Sequence, residues 1–131
     1  MANEEGDSQL PPDDQTIQDN VKLWRRIHPT HVVPDGSGGK RVSSAAFTNS
    51  WDGSYMSVVI DEKGVTAERV LGPNIDHGLV TFTAATARAL NQRIIRKPEG
   101  HEPLHGEVCG KKSKAIQNQF VKLCQWVYVP V

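Results

Sequence analysis

Three short stretches of this chain combine residue types that do chemistry. "PDGSGGKRVSSAAF", Pro34 to Phe47, clusters glycines ahead of Lys40, Arg41, Ser43 and Ser44. "HEPLHGEVC" spaces His101, His105 and Cys109 as H-x3-H-x3-C. "CGKKSK" puts Lys111, Lys112 and Lys114 just ahead of a strongly patterned helix. The chemistries they suggest are phosphate binding, zinc ligation and anion recognition.

The glycine stretch fails as a nucleotide loop. A Walker motif needs glycines whose backbone N–H groups wrap the phosphates, then Lys and a hydroxyl residue for magnesium. Here Pro34, without an amide, stands at the first glycine position, and Arg41 follows Gly39-Lys40. What remains is a weaker anion site using Lys40, Arg41, Ser43 and Ser44, or a mobile hairpin connection. Alternation along "KRVSSAAF" as a strand would put Arg41 and Ser43 on the same side as Phe47. A buried Phe47 would then carry Arg41 inward, where it needs a partner.

The histidine–cysteine spacing would gather three zinc ligands on one face of a helix. Pro103 and Gly106 inside it oppose a helix, and extended chain scatters those ligands. His28 and His31 form an H-x2-H that Pro29 interrupts in the same way. The reading is therefore no metal, with zinc at His101, His105 and Cys109 as the alternative. Nucleophilic chemistry has equally thin support. No G-x-S-x-G elbow occurs, and Ser43, Ser44 or a Cys109–His105 pair are the candidates. Lysines at a helix N-terminus oppose the dipole. Lys111, Lys112 and Lys114 are thus better explained if they serve an acidic or phosphorylated partner. Trp24, beside Arg25 and Arg26, could stack a base or simply fill the core. Trp51, among the turn residues of "NSWDGSY", is the tryptophan expected at the surface.

The elements that would position these groups read as follows. Residues 1–13, acidic and proline-bearing, make an expected disordered tail. Ile17, Val21 and Trp24 lie at i, i+4 and i+7, so the segment from Asp14 to Pro29 is read as a helix. A strand through Val21, Leu23 and Arg25 is the alternative. "HVVPD", "VSSAAF", "YMSVVIDE", "GLVTFT", "RIIRKP", "HGEVCG" and "WVYVPV" read as strands. Glu62-Lys63-Gly64 reads as a turn. "AATARALNQ" reads as a helix capped by Thr83. In the last helix, capped by Ser113, Ile116, Phe120, Leu123, Cys124 and Val127 form one stripe. The strands and helices do not alternate regularly, so the fold class is α+β, one compact domain over 14–131 with a mixed or antiparallel sheet and two or three helices.

Composition bounds the function. The 131 residues carry zero formal charge, which argues against bulk attraction to nucleic acid or an anionic membrane. The balance hides a gradient: six acidic and no basic residues from Met1 to Asp19, but eight Lys or Arg against three Glu from Ala85 to Val131. No apolar run approaches a membrane span, and the first residues lack a signal peptide's pattern. Cys109 and Cys124 could pair, but are read as reduced thiols of a cytosolic protein.

"LWRRIHPTHVVPD", "KRVSSAAF", "MSVVI" and "EPLHGEVCG" resemble a set of small bacterial proteins that carries no activity with it. The "LWR" start is also similar to that of NAD-consuming domains of the ADP-ribosyltransferase and RES type. That resemblance implies Arg25 on the dinucleotide phosphate, Ser43 or Ser44 in the second motif, and Glu62 or Glu68 as the acidic member. Two function classes follow. One is a small regulatory protein that binds a protein or anionic partner without chemistry of its own; the other is an NAD-dependent enzyme.

Overall fold

In the computed structural model, which describes residues 10–130, the chain forms eight strands and three helices among the described residues. In chain order these are β1 (Lys22–Ile27), β2 (Val32–Pro34), β3 (Lys40–Val42), β4 (Met56–Ile60), α1 (Ala67–Leu71), β5 (Gly78–Thr83), α2 (Ala84–Ala89), β6 (Arg93–Arg96), β7 (His105–Cys109), α3 (Lys114–Leu123) and β8 (Gln125–Tyr128). Six strands make one sheet in the order β6-β7-β4-β1-β5-β8, and β2 with β3 make a separate ribbon. Every strand pairing is antiparallel. The result is a single α+β domain, as the mixture of elements predicts. Among the described residues no helix is long and apolar enough to cross a membrane.

Period-2 alternation gives the sheet two unlike faces. Leu23, Ile27, Met56, Val58, Ile60, Val80, Phe82, Ile94 and Val108 turn to one face and are buried there. That face packs under α2, α3 and the loop after β3, through Ala87, Phe120 and Phe47. Phe47 stacks on Phe120 with centroids 5.3 Å apart, and Phe82 meets Phe120 edge-on at 4.9 Å. Aromatic pairs in these geometries contribute about 0.5–1.5 kcal/mol each beyond their buried area. The other face carries Trp24, Arg26, Ser57, Val59 and His105, and only the small cluster of Val70, Leu71 and Leu79 closes part of it. Gly106 lets β6, β7 and β4 approach: a Cβ there would stand 2.7 Å from the Ile95 carbonyl and 2.9 Å from Ile60 Cδ1.

Four expectations change. The segment read as a helix from Asp14 contains β1 instead. Its six residues pair with β5 from Lys22↔Thr83 to Ile27↔Gly78, and cross-strand pairing overrides the helical spacing. Consecutive Arg25 and Arg26 therefore leave the strand on opposite sides. Second, "VSSAAF" is not a strand. A 3-10 turn spans Ser44–Ala46, its start capped by the Ser43 hydroxyl. That turn breaks the alternation, so Phe47 is buried while Arg41 stays exposed. Third, α3 stops at Leu123. Leu123 is 48% exposed, and Val127 belongs to β8. Fourth, of the expected acidic tail, residues 1–9 lie outside the described residues, but Leu10 to Asp13 are held against β6. Asp13 Oδ1 accepts the Ile94 amide at 2.7 Å and Asp13 Oδ2 accepts Arg88 Nε at 3.0 Å. This segment covers a sheet edge that would otherwise present unpaired backbone.

The other expected elements are in place, including the Thr83 and Ser113 caps, whose hydroxyls accept the amides of Thr86 and Ile116.

Candidate anion-binding cleft

The half-covered face of the sheet holds a cleft of about 420 Å³. Its floor is Trp24 and Arg26 of β1, Ser57 and Val59 of β4, and His105 of β7. Its walls are the end of α1 with Gly72-Pro73, and the turn between β6 and β7. One ion pair ties these walls together. Arg69 Nε donates to Glu102 Oε1 at 3.1 Å and Nη2 to Oε2 at 2.5 Å. The same carboxylate accepts the Leu104 amide at 3.0 Å. Burial pushes the Glu102 carboxyl up, but Arg69 and that amide outweigh it and leave it below the usual carboxylate value.

Three arginines thus line the cleft, and only Arg69 is neutralised. Among the described residues neither Arg25 nor Arg26 has a carboxylate partner. The Arg25 guanidinium donates through Nε and Nη2 to the Ala46 carbonyl at 3.0 and 2.8 Å, and through Nη1 to the Ser57 carbonyl at 2.8 Å. It sits where β1 and β4 part company after the Trp24↔Val59 pair. Burial, and then Arg26, bring its pKa down to about 10. A guanidinium has five N–H donors; three are in use here. Arg26 makes one long contact, Nη1 to the Val70 carbonyl at 3.5 Å. The Trp24 indole Nε1 is buried without an acceptor. Opposite these donors, His105 is fixed by its Nδ1, 2.9 Å from the Lys97 carbonyl. A carbonyl only accepts, so Nδ1 carries the hydrogen and the neutral ring keeps Nε2 as an acceptor. Glu99 lies 3.8 Å from that Nε2.

Of the residues singled out from the sequence, Trp24, Arg25, His101 and His105 line the cleft and the others lie elsewhere. The glycine loop closes on its own aspartate. Asp35 Oδ1 accepts the amides of Ser37 and Gly39 at 2.8 and 3.0 Å and the Ser37 hydroxyl at 2.9 Å. The Ser37 and Gly39 amides are thereby taken up within the loop. Lys40 and Arg41 are exposed on the β2–β3 ribbon. Ser44 and Lys114 do come together: Lys114 Nζ donates to Ser44 Oγ at 2.6 Å. Ser43 serves as a cap. Lys112 points into the fold, donating to Asn49 Oδ1 at 2.6 Å, the Val108 carbonyl at 2.8 Å and the Gly110 carbonyl at 3.0 Å. Burial lowers its pKa to about 8. Lys111 is exposed on the loop before α3.

The residues implied by the NAD resemblance are not assembled. Arg25 lines the cleft, Ser43 is the cap of the 3-10 turn, and Glu68 is exposed in the first turn of α1. Glu62 pairs with Arg96 at 2.6 Å. The zinc spacing dissolves as well. His105 and Cys109 are four residues apart in a strand, roughly 13 Å, and the His101 side chain is largely exposed beside Glu99. Among the described residues no three His, Cys, Asp or Glu side chains could hold a metal ion. The thiols of Cys109 and Cys124 are free, and burial pushes both up to about 11, which suits inert thiols. Trp51 is 99% exposed.

Sequence reasoning missed Arg69 and Glu102, which carry no local signal, and the unpaired state of Arg26. Comparison with family models, curated proteins and solved structures finds no match to the chain.

Proposed function

We propose that the protein is a binding module, without chemistry of its own, that takes an anionic group of its partner into the cleft beneath α1. The observation that carries this reading is that Arg26 on the cleft face and Arg25, which leaves β1 on the other side but joins the cleft's lining, have no carboxylate partner among the described residues. Arginine forks match phosphate and carboxylate oxygens, and they act most strongly where water is partly excluded. The Arg69–Glu102 bridge ties the walls together without adding net charge.

The test is a titration with inorganic pyrophosphate, followed by calorimetry and by the NMR signals of the Trp24 indole and the arginine side chains. Binding should be saturable and weaken with salt. Arg26→Ala should weaken it by about tenfold or more, the value of a charge-assisted hydrogen bond. Arg41→Ala should leave it unchanged. Equal losses from both variants would mean diffuse attraction and no site.

A further inference from the structure

We infer that His28, His31 and His77 form an acid-sensitive latch: with neutral rings they hold the turn that carries the β2–β3 ribbon, and with protonated rings they release it.

Three of the chain's five histidines meet at one place. β1 ends in the pair Ile27↔Gly78, so His28, after one strand, and His77, before the other, come side by side. Their ring centroids are 5.3 Å apart, and those of His28 and His31 are 6.3 Å apart, both edge to face. Such contacts suit neutral rings, and like charges on adjacent rings repel.

The hydrogen bonds depend on protonation. His28 caps the 3-10 turn Pro29–His31: its Nδ1 accepts the Thr30 amide at 3.2 Å. An amide only donates, so Nδ1 keeps its lone pair and the capping ring is neutral. A proton on Nδ1 would face that N–H and end the cap. His77 is set the other way. Its Nδ1 lies 2.9 Å from the Asp76 carboxylate, which favours the protonated ring. A charge gained there stands beside His28. His31 is half-buried, and burial, then His28, then Arg25 of β1 lower its pKa from the ordinary 6.5. The stability it contributes is therefore present above pH 6.5 and is lost as pH falls through the folded value. Full protonation sets three new charges, with Arg25 beside His31, against Asp76.

This turn fastens the ribbon. β2 starts at Val32, directly after His31, and forms with β3 a sheet separate from the six-stranded one. The His31 carbonyl accepts the Ser43 amide at 2.8 Å, which ties the end of β3 to the same turn. A two-stranded ribbon is marginal on its own. It is held by this turn and by Val32 and Val42, which pack on the core. Loss of the His28 cap therefore loosens both ends of the ribbon at once.

The test is backbone amide exchange of the full chain, followed by NMR at pH 7.5 and pH 5.5, the range in which histidines charge, and read as protection relative to unstructured peptide. The Ser43 amide should lose about tenfold of its protection at the lower pH, the scale of one hydrogen bond, while the Val80 amide of β5 keeps its own. His28→Asn supplies an oxygen that caps without titrating, so it should keep Ser43 protected at both pH values. His77→Gln leaves the cap in place and removes one charge, so it should recover part of the protection. If Ser43 and Val80 lose protection together, acid unfolds the whole domain and the latch is overturned. It is overturned equally if either variant shows the full native drop, or if the native protein shows none.

Discussion

Two basic regions of this molecule have opposite fates. Around the start of α3, Lys112 and Lys114 are used by the fold itself. Lys112 holds three oxygens and Lys114 holds the Ser44 hydroxyl. In the cleft, Arg25 and Arg26 retain donors that no described residue takes up. Along the sequence the lysine run looks the more promising, because its charges are adjacent and sit at a helix start. In three dimensions the order reverses. A cationic group becomes a site when its hydrogen-bonding capacity is left over after folding, and density of charge along the chain does not report that.

The largest effect expected from this contrast is on stability. Lys112→Met keeps the length of the side chain and removes its ammonium. The Asn49 side-chain carbonyl and the Val108 carbonyl lose this donor, and the Gly110 carbonyl is left with Asn49 Nδ2 alone. Losing these charge-assisted bonds should cost about 1–3 kcal/mol, read as a lower urea midpoint. Binding of pyrophosphate to the cleft should survive in the folded fraction. A variant that keeps full stability but loses the anion would reverse the two roles.

The pH dependence of the same amine gives the next test. Its folded value is about 8, against an ordinary 10.5. Between these values the unfolded chain binds more protons than the folded one, so stability contributed by this group rises with pH. Below pH 8 both states are charged and the contribution is flat. The buried thiols act oppositely: raised from 9.0 to about 11, they stabilise the fold below pH 9 and lose that contribution as pH climbs toward 11. From pH 8 to 9 the melting temperature of the native protein should therefore rise relative to Lys112→Met. A parallel pair of curves would mean that the amine is not titrating in this window.

Much of the scaffold was legible in local pattern. "MSVVI" and "GLVTFT" are dense in β-branched and apolar residues, and they become β4 and β5. Thr83 and Ser113 announce α2 and α3 because a capping hydroxyl is a local device. β1 was ambiguous for a physical reason. Ile17, Val21 and Trp24 satisfy a helical period while Leu23 and Ile27 satisfy a sheet, and only pairing with β5, some fifty-five residues away in sequence, decides between them. The turn at Ser44–Ala46 was hidden for a similar reason: its residues suit strand alternation until Phe47 must reach Phe120. The cleft was the least legible part. Trp24 beside two arginines was its one visible mark. The Arg69–Glu102 bridge that shapes it joins residues thirty-three apart with no spacing rule to betray them. That Arg25 and Arg26 lack carboxylates is a property of every neighbour at once, which no local window contains.

The smallest expected effect is also the most discriminating between the two regions. Lys114 is exposed, and its one contact in this region is the 2.6 Å bond to the Ser44 hydroxyl. A long side chain held at the surface by one neutral partner loses rotamer freedom for a modest return. Lys114→Ala should therefore change stability by no more than about 0.5 kcal/mol. It also removes a positive charge from the first turn of α3, where the helix dipole disfavours one, so the change can have either sign. Ser44→Ala should match it, and the double variant should be no worse than either single change if their bond is the whole interaction. Neither should alter pyrophosphate binding. Should Lys114→Ala cut that binding as deeply as Arg26→Ala, the amine would be a working part of an anion site, and left-over hydrogen-bonding capacity would no longer separate the two regions.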